Sequence, residues 1–314
     1  MPLSVALQSR HEHRRRQALW WKLGAAMAIL ATVLPVLATA CGVAADNNAP
    51  TISVVVTMWP LAQMASLIGG TKVTVTDLAT PGSDPRHIPA TPAVTGELAG
   101  AAVIVDVGGG YQPGLEGAIA TSGHARVVSL AELLGGSDPA IWLNPQTMRR
   151  ALPFVTDAMA SANPAAASTY RNGARDFDQT LNSLNIDYTT TLEDCARRTF
   201  VTTDNAFGSM ATTYGVVNKA LPAITTPGGA TAVTNAVSLL RASSNSPVFD
   251  ETITDNTVLD QAAAIVGIKV KPIDTLIGPP PGGWPTGASY FSLMESDLTT
   301  LGHGLQCSQT AGRS

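Results

Sequence analysis

From residue 52 onward, short runs of β-branched and apolar residues alternate with helix-forming stretches, and this alternation constrains the fold more than any other feature. The first four runs are Ile52–Thr57, Val73–Leu78, Ala102–Val107 and Arg126–Ser129. Helix-forming stretches lie near Leu61–Ile68, Pro92–Ala99 and Gly114–Thr121. Such an order is typical of a mostly parallel sheet with helices on both faces and ligand loops at the carboxyl ends of the strands. The predicted fold class is therefore α/β.

One long amphipathic helix is predicted in the middle of the chain. Asn163 and Pro164 form a favourable helix start, and they are followed by apolar side chains at helical spacing. These side chains are Tyr170, Phe177, Leu181, Leu184 and Tyr188. About 28 helical residues would extend ~40 Å, which is long enough to cross one lobe and enter the next. Pro153 predicts either a separate shorter helix or a kink in the segment before it.

A second α/β lobe is predicted after Arg198, where the alternation resumes. Its strands are expected at Thr199–Thr202, Gly215–Val217, Pro247–Asp250 and Ile268–Pro272, and its last helix near Tyr290–Leu305. The expected organisation is a signal peptide (1–40), a tether (41–51), an N-terminal lobe (52–145), a linking helical segment (146–192) and a C-terminal lobe (193–314). The predicted architecture is two Rossmann-like lobes joined by a rigid helix.

The N-terminus has the pattern of an export signal. A basic stretch precedes 18 uncharged residues, Leu23–Ala40, which end at Cys41. Small residues before Cys41 favour cleavage over a permanent transmembrane helix. The same residues fit either ordinary release or an imperfect lipoprotein signal with lipidation of Cys41, and the polar tether after Cys41 favours the lipoprotein. The expected location is the outer face of the cytoplasmic membrane, or otherwise secretion.

Charge and cysteine usage narrow the partners and the compartment. Removing residues 1–40 takes away five Lys/Arg and one Asp/Glu, which lowers the net charge from −4 to about −8. Nucleic acid is therefore not expected as a partner. Cys195 and Cys307 are an even pair in a chain bound for an oxidising compartment, which predicts one disulfide. Two buried free thiols are the alternative.

Motifs of common enzyme classes are not found in the sequence. Gly108-Gly109-Gly110 lacks the spacing of a dinucleotide fingerprint, and neither a P-loop nor a nucleophile elbow occurs. Because no nucleophile has an evident base, we expect a binding protein and not an enzyme.

Five ordered segments resemble the zinc- and manganese-specific solute-binding proteins of ABC importers. Thr57–Leu61 with Ile68–Gly70 resembles the first strand and helix of that family, and PGSDPRHIPATP (81–92) resembles its PGxDPHxxEPTP loop. The other three are DPAIWLNP (138–145), TTDNAFG (202–208) and VFDET (248–252). The resemblance covers residues 52–306. It implies two α/β lobes joined by a long helix, with the metal held between the lobes.

The resemblance also shows an altered ligand set. Where the family has histidines, this chain has Arg86, Ala140 and Asp204, whereas the family aspartate is kept as Asp274. The ligands implied here are His87, Asp204 and Asp274, with His87 shifted by one residue. The alternative for His87 is a solvated loop histidine. Fewer imidazoles weaken the preference for zinc over harder cations.

Two further residues near this site have open roles. Arg86 would replace the metal if its guanidinium paired with Asp204 and Asp274, and the alternative is an arginine that points to solvent. Glu251 matches an acidic residue of the family near the site, and the alternative is a carboxylate at a helix start.

The predicted function is delivery of a divalent metal, zinc more than manganese, to an ABC importer permease. The protein is expected to be monomeric and held at the membrane by its lipid anchor. The second hypothesis is a paralogue that binds no metal and acts as an accessory protein of the envelope. An enzyme using Asp204 and Asp274 as an acid/base pair is the third.

Overall fold

A computed structural model describes residues 50–136, 140–220, 229–243, 245–251, 257–280 and 283–308. The predicted signal peptide, the lipidation site Cys41 and the tether up to residue 49 lie outside the described residues. Within the part that is described, no helix combines the length and apolarity needed to span a bilayer.

The first lobe contains four parallel strands in the order β2-β1-β3-β4. They are β1 (Ile52–Val56), β2 (Val73–Asp77), β3 (Val103–Asp106) and β4 (Arg126–Ser129). The connecting helices are α1 (Trp59–Gly69), α2 (Pro92–Gly100), α3 (Pro113–Ala120) and α4 (Leu130–Leu134). Every residue of β3 is buried, as expected for a central strand covered on both faces. The predicted strands of this lobe all form. Most of their ends lie within one residue of the predicted ends.

Two helices connect the lobes. Helix α5 (Pro145–Ala162) begins where the side chain of Asn144 accepts hydrogen bonds from the backbone N–H groups of Gln146 and Thr147. A single 3₁₀ turn, Pro164–Ala166, leads into α6 (Ala167–Glu193), which has 27 residues. This is the predicted long helix, and its predicted apolar side chains are all buried.

The second lobe repeats the topology of the first, with four parallel strands in the order β6-β5-β7-β8. They are β5 (Thr199–Thr202), β6 (Val217–Ala220), β7 (Val248–Glu251) and β8 (Val270–Ile273). The helices are α7 (Gly208–Thr213), α8 (Gly229–Ala242), α9 (Thr257–Val266) and α10 (Tyr290–Leu305). The predicted architecture of two parallel α/β lobes joined by a long helix is thus confirmed.

One local prediction is confirmed and one was wrong. Helix α5 is the separate shorter helix expected before the long one, and Pro153 lies inside it. Pro153 is exposed, so water can solvate the carbonyl group that loses its hydrogen bond. Strand β6 begins at Val217, not at Gly215, because Gly215 adopts a φ of +70° in the turn after α7.

The two lobes share one continuous hydrophobic core along α6. It includes Val54 and Val105 of the first sheet, Phe200 and Phe249 of the second, and Phe177 and Leu181 of α6. Near one end of α6, the hydroxyl of Tyr170 donates to the carbonyl of Lys72 at 3.0 Å. Near the other end, the hydroxyl of Tyr188 donates to the carbonyl of Met294 at 2.9 Å. Helix α6 therefore joins both lobes as a rigid element.

Candidate functional site

The carboxyl ends of both sheets border one cavity of about 660 Å³ between the lobes. In each sheet the first strand lies between the second and the third, so the crevice for a ligand is expected beside that first strand. Residues from the first lobe and its junction with α5 line one side: Arg86, Tyr111, Ala140 and Trp142. Residues from the second lobe line the other, including Asp204, Asn205, Ser209, Thr213, Asn218, Glu251, Thr275 and Ile277.

A buried glutamine holds the loop that carries Arg86. The side-chain N–H₂ of Gln112 donates to the carbonyl of Thr57 at 3.1 Å and to the carbonyl of Pro85 at 2.9 Å. Gln112 follows β3, whereas Thr57 follows β1, so these bonds join three loops at the carboxyl edge of the sheet. The loop after β2 therefore has a fixed position over that edge.

Arg86 is held by the aspartate two residues before it. Its Nε donates to both carboxylate oxygens of Asp84, at 2.9 and 3.0 Å, and its Nη2 lies 2.8 Å from Asp84 Oδ2. Burial acts to raise the pKa of Asp84, but hydrogen bonds from the side chain and backbone of Arg86 outweigh it and lower the pKa below its usual value. The remaining Nη1 lies 3.9 Å from Asp204 Oδ2. Arg86 thus reaches one of the two carboxylates proposed for it, and its tightest partner is Asp84.

His87 lies at the end of a 3₁₀ turn, Pro85–His87, and is not among the described residues that line the cavity. Its side chain is 78% exposed, and its Nδ1 lies 3.2 Å from Asp84 Oδ2. This is the placement of a solvated loop histidine, one of the two alternatives given by the sequence.

Asp204 and Glu251 bring two carboxyl groups together at the cavity. Asp204 Oδ1 accepts a hydrogen bond from the backbone N–H of Ala206 at 2.7 Å, and its other oxygen faces Arg86. Glu251, only 2% exposed, accepts a hydrogen bond from the backbone N–H of Asp204 at 3.3 Å. Burial, followed by the neighbouring carboxylate of Asp204, raises the pKa of Glu251 far above its usual value. A cation placed here would relieve that repulsion.

Asp274 lies beside the cavity, just before the lining residue Thr275. One of its oxygens accepts a hydrogen bond from the backbone N–H of Leu276 at 2.8 Å, and the other accepts from the indole Nε1 of Trp284 at 2.6 Å. The ring of Trp284 in turn lies 4.2 Å from the ring of Trp59 in the first lobe. Both oxygens of the predicted ligand thus have a donor within the protein.

The structure brings together only part of the predicted ligand set. Asp204 lines the cavity, His87 does not, and Ala140 lines it without a ligating atom. Within the described ranges, no three His, Cys, Asp or Glu side chains are grouped so that they would hold a metal ion.

Sequence reasoning missed three partners at this site. The Asp-Pro-Arg sequence at 84–86 is a local signal for the Asp84 contact, because aspartate side chains commonly accept hydrogen bonds from backbone groups two residues on. Trp284 follows a Gly/Pro-rich loop, and nothing in its spacing indicates a partner. Tyr111 follows Gly108-Gly109-Gly110, and the spacing of these glycines indicated only that no nucleotide site is expected.

Comparisons with known proteins identify the family of this chain. Residues 54–304 match the family model ZnuA, described as the periplasmic component A of a zinc-uptake complex. The chain is 26% identical over 166 residues to the zinc-binding protein AdcA of Streptococcus pyogenes serotype M6, a match that spans 52% of this chain and 32% of that protein. It is 24% identical to the high-affinity zinc uptake system protein ZnuA of Bacillus subtilis, spanning 52% of each.

The fold also matches a solved structure over most of its length. The Zn(II)-bound ZnuA-like domain of Streptococcus pneumoniae AdcA has a TM-score of 0.72 and 19% identity, covering 81% of this chain and 99% of that one. The chain matches only about a third of the full length of AdcA and half that of the Bacillus protein. The family model nevertheless covers most of the described lobes, and this chain therefore belongs to the ZnuA family of zinc-uptake solute-binding proteins.

Proposed function

We propose that this chain is the extracytoplasmic solute-binding protein of a divalent-metal importer, with zinc favoured over manganese as cargo. The observation that carries the proposal is the pair of carboxyl groups, Asp204 and Glu251, at a cavity between the lobes of a zinc-uptake family member. Carboxylate oxygens bind divalent cations, and a metal between them replaces the proton that their proximity otherwise requires. The protein performs no chemistry on its cargo.

The altered ligand set lowers the expected affinity. Zinc sites of high affinity use imidazole or thiolate ligands, whereas this cavity offers carboxylates. Asp204 Oδ2 forms an ion pair with Arg86 Nη1 at 3.9 Å, so a metal bound at this oxygen would compete with the guanidinium. We expect zinc binding weaker than in relatives with histidines, and a smaller preference over manganese.

The proposed partner is an ABC permease, and the proposed anchor is a lipid on Cys41. Lipidation with several acyl chains gives durable membrane attachment, which keeps the binding protein close to its permease. The check is fractionation and intact mass of Cys41→Ala, which should release the protein from the membrane. Unchanged mass and retention would refute the anchor while leaving the metal proposal intact.

Calorimetric titration with zinc and with manganese, beside elemental analysis of the protein as isolated, tests the cargo. Asp204→Asn should weaken zinc binding at least tenfold, about 1.4 kcal/mol. The matched control is Asp176→Asn, which changes an exposed aspartate on α6. Equal effects of the two substitutions would place the metal elsewhere. No binding of either metal by wild-type protein would refute the proposal and favour the accessory role.

A further inference from the structure

Among the described residues, the cavity supplies too few ligands for a bare metal ion. Two carboxyl groups, from Asp204 and Glu251, lie together there, and Ala140 contributes no ligating atom. Zinc is typically held by four ligands, which leaves at least two positions beyond these two carboxyl groups. Water is one source, and a ligand that arrives with the metal is the other.

The volume of the cavity distinguishes these sources. It encloses about 660 Å³, in the range of small-molecule pockets. A site for one ion needs only a small fraction of this volume. Its lining also combines the rings of Tyr111 and Trp142 with the polar side chains of Asn205, Ser209 and Asn218. A mixed lining of this kind suits an organic molecule with several polar groups.

Among the described residues, two donors in this lining have no hydrogen-bond acceptor. Asp84 holds the Nε and Nη2 side of Arg86, and among the described residues Nη1 makes no hydrogen bond. The hydroxyl of Tyr111 likewise makes none within the described ranges, although its ring packs at 5.5 Å from Trp142. Tyr111 and Arg86 both line the cavity. A fixed guanidinium and a phenol hydroxyl in one cavity can together bind a carboxylate.

Electrostatics favour a carboxylate between Arg86 and the metal. A bare divalent cation at Asp204 would lie close to the Nη1 of Arg86, and these like charges repel. A carboxylate placed between them attracts both, so that charges alternate from the guanidinium through the carboxylate and the metal to Asp204 and Glu251. The arginine that opposes a bare metal then favours a chelated one.

We propose that the cleft binds its divalent metal as a complex with a small hydroxy- or amino-carboxylate, whose carboxylate is held by Arg86 and Tyr111 while the metal faces Asp204 and Glu251. This inference rests on the proposed function, since it names the form in which the cargo arrives. The protein and the chelator would each contribute ligands to one ion.

Equilibrium dialysis of the full chain with ¹⁴C-labelled citrate, with and without zinc chloride, tests the proposal. Citrate competes for zinc, so a protein that binds bare zinc loses metal as citrate is added. The proposal instead expects citrate to be retained at one per protein only when zinc is present, and zinc retention to rise at least tenfold. The same dialysis with ¹⁴C-labelled L-histidine represents the aminocarboxylates, and retention of either chelator with zinc supports the proposal.

Each remaining outcome overturns a defined claim. Zinc retained without a chelator and stripped by both chelators would overturn the chelate while the proposed function stands. Retention of neither zinc nor chelator would overturn the proposed function as well. A chelator retained equally without zinc would show a site for organic anions and overturn the chelate; if zinc were then not retained, the proposed function would be overturned as well.

Two variants test whether the zinc-dependent retention of citrate requires Arg86 and Tyr111. Arg86→Gln removes the guanidinium charge, and Tyr111→Phe removes only the hydroxyl. Each should lower the zinc-dependent retention of citrate at least tenfold. The control is Arg175→Gln, an exposed arginine on α6, which should behave as wild type. Circular dichroism confirms folding of each variant. Folded Arg86→Gln and Tyr111→Phe with wild-type retention would overturn the assignment of the carboxylate to these two residues.

Discussion

The disulfide between Cys195 and Cys307 encloses almost the whole second lobe, so its removal should cost a large part of the stability of that lobe. Cys195 follows the end of α6, and Cys307 follows the end of α10, 112 residues later. All four strands of the second sheet lie within this loop. Closing such a loop in the unfolded chain corresponds to about 5 kcal/mol in the chain-entropy model.

The folded state should change little when the sulfurs are removed. Backbone hydrogen bonds already join the two segments: the N–H of Ala196 donates to Gln306 at 3.1 Å, and the N–H of Arg197 donates to Leu305 at 2.9 Å. The expected loss therefore arises mainly from greater freedom of the unfolded chain. About 5 kcal/mol is an upper value, because residual structure in the unfolded chain reduces it.

Urea unfolding of Cys195→Ala/Cys307→Ala, followed by circular dichroism and tryptophan fluorescence, measures this loss. We expect a lower midpoint and a larger dependence of the unfolding free energy on urea, because the open chain exposes more surface. Wild-type protein unfolded in dithiothreitol is the control and should match the variant. A loss below about 1 kcal/mol with a bridge proven by mass spectrometry would refute the entropic argument. Two alkylatable thiols in denatured, unreduced protein would refute the bridge itself.

Two further substitutions test a contact between the lobes and a buried carboxyl group of the first lobe. Trp142→Phe removes the indole that donates to the carbonyl of Thr275 at 2.7 Å across the lobes. Because that buried carbonyl then lacks its donor, the free energy of unfolding, measured by chemical denaturation, should fall by about 1–3 kcal/mol. A fall below about 0.5 kcal/mol would contradict this prediction. Burial raises the pKa of Asp106 to about 6, so the folded state binds its proton more tightly and the free energy of unfolding falls as pH rises from 4 to 6. Asp106→Asn, which can still accept the hydrogen bond from Ser129, should reduce that fall by up to about 3 kcal/mol and leave stability at pH 4 unchanged; an identical pH profile in the variant would refute it.

The order of elements could be predicted because apolar periodicity records which faces are buried. Strand β3 is buried along its whole length, and α6 buries one stripe of side chains, so both have strong patterns. The effect of Pro153 depends on its tertiary surroundings: it lies on the exposed face of α5, while Arg149, one turn earlier, is joined to Asp178 of α6 at 2.7 Å. Packing against α6 therefore outweighs the local preference to end the helix.

The candidate site was predictable only where its contacts are local. The pairing of Asp84 with Arg86 joins residues two apart, whereas Asp274 and Trp284 are separated by a Gly/Pro-rich sequence that has no periodic pattern. The resemblance placed Arg86, Ala140 and Asp204 near the cleft, and all three line the cavity. Side-chain direction could not be obtained in this way, because a shift of one residue in a loop decides whether His87 or Arg86 faces the cavity.

Restoring histidines at positions 86 and 140 should convert the cavity into a zinc site that needs no chelator. Both residues line the cavity with Asp204, so Arg86→His with Ala140→His would add two imidazoles beside a carboxylate and remove the opposing guanidinium. We expect zinc affinity to rise at least 100-fold, about 2.7 kcal/mol, in competition with a fluorescent zinc chelator. Arg86→Gln with Ala140→Gln is the matched control, since it removes the same charge and adds polar side chains of intermediate size without an imidazole. Citrate should then withdraw zinc from the histidine variant by simple competition, because the protein itself supplies the ligands. If the glutamine and histidine variants gained equally, loss of the guanidinium alone would explain the change, and positions 86 and 140 would not converge on the metal.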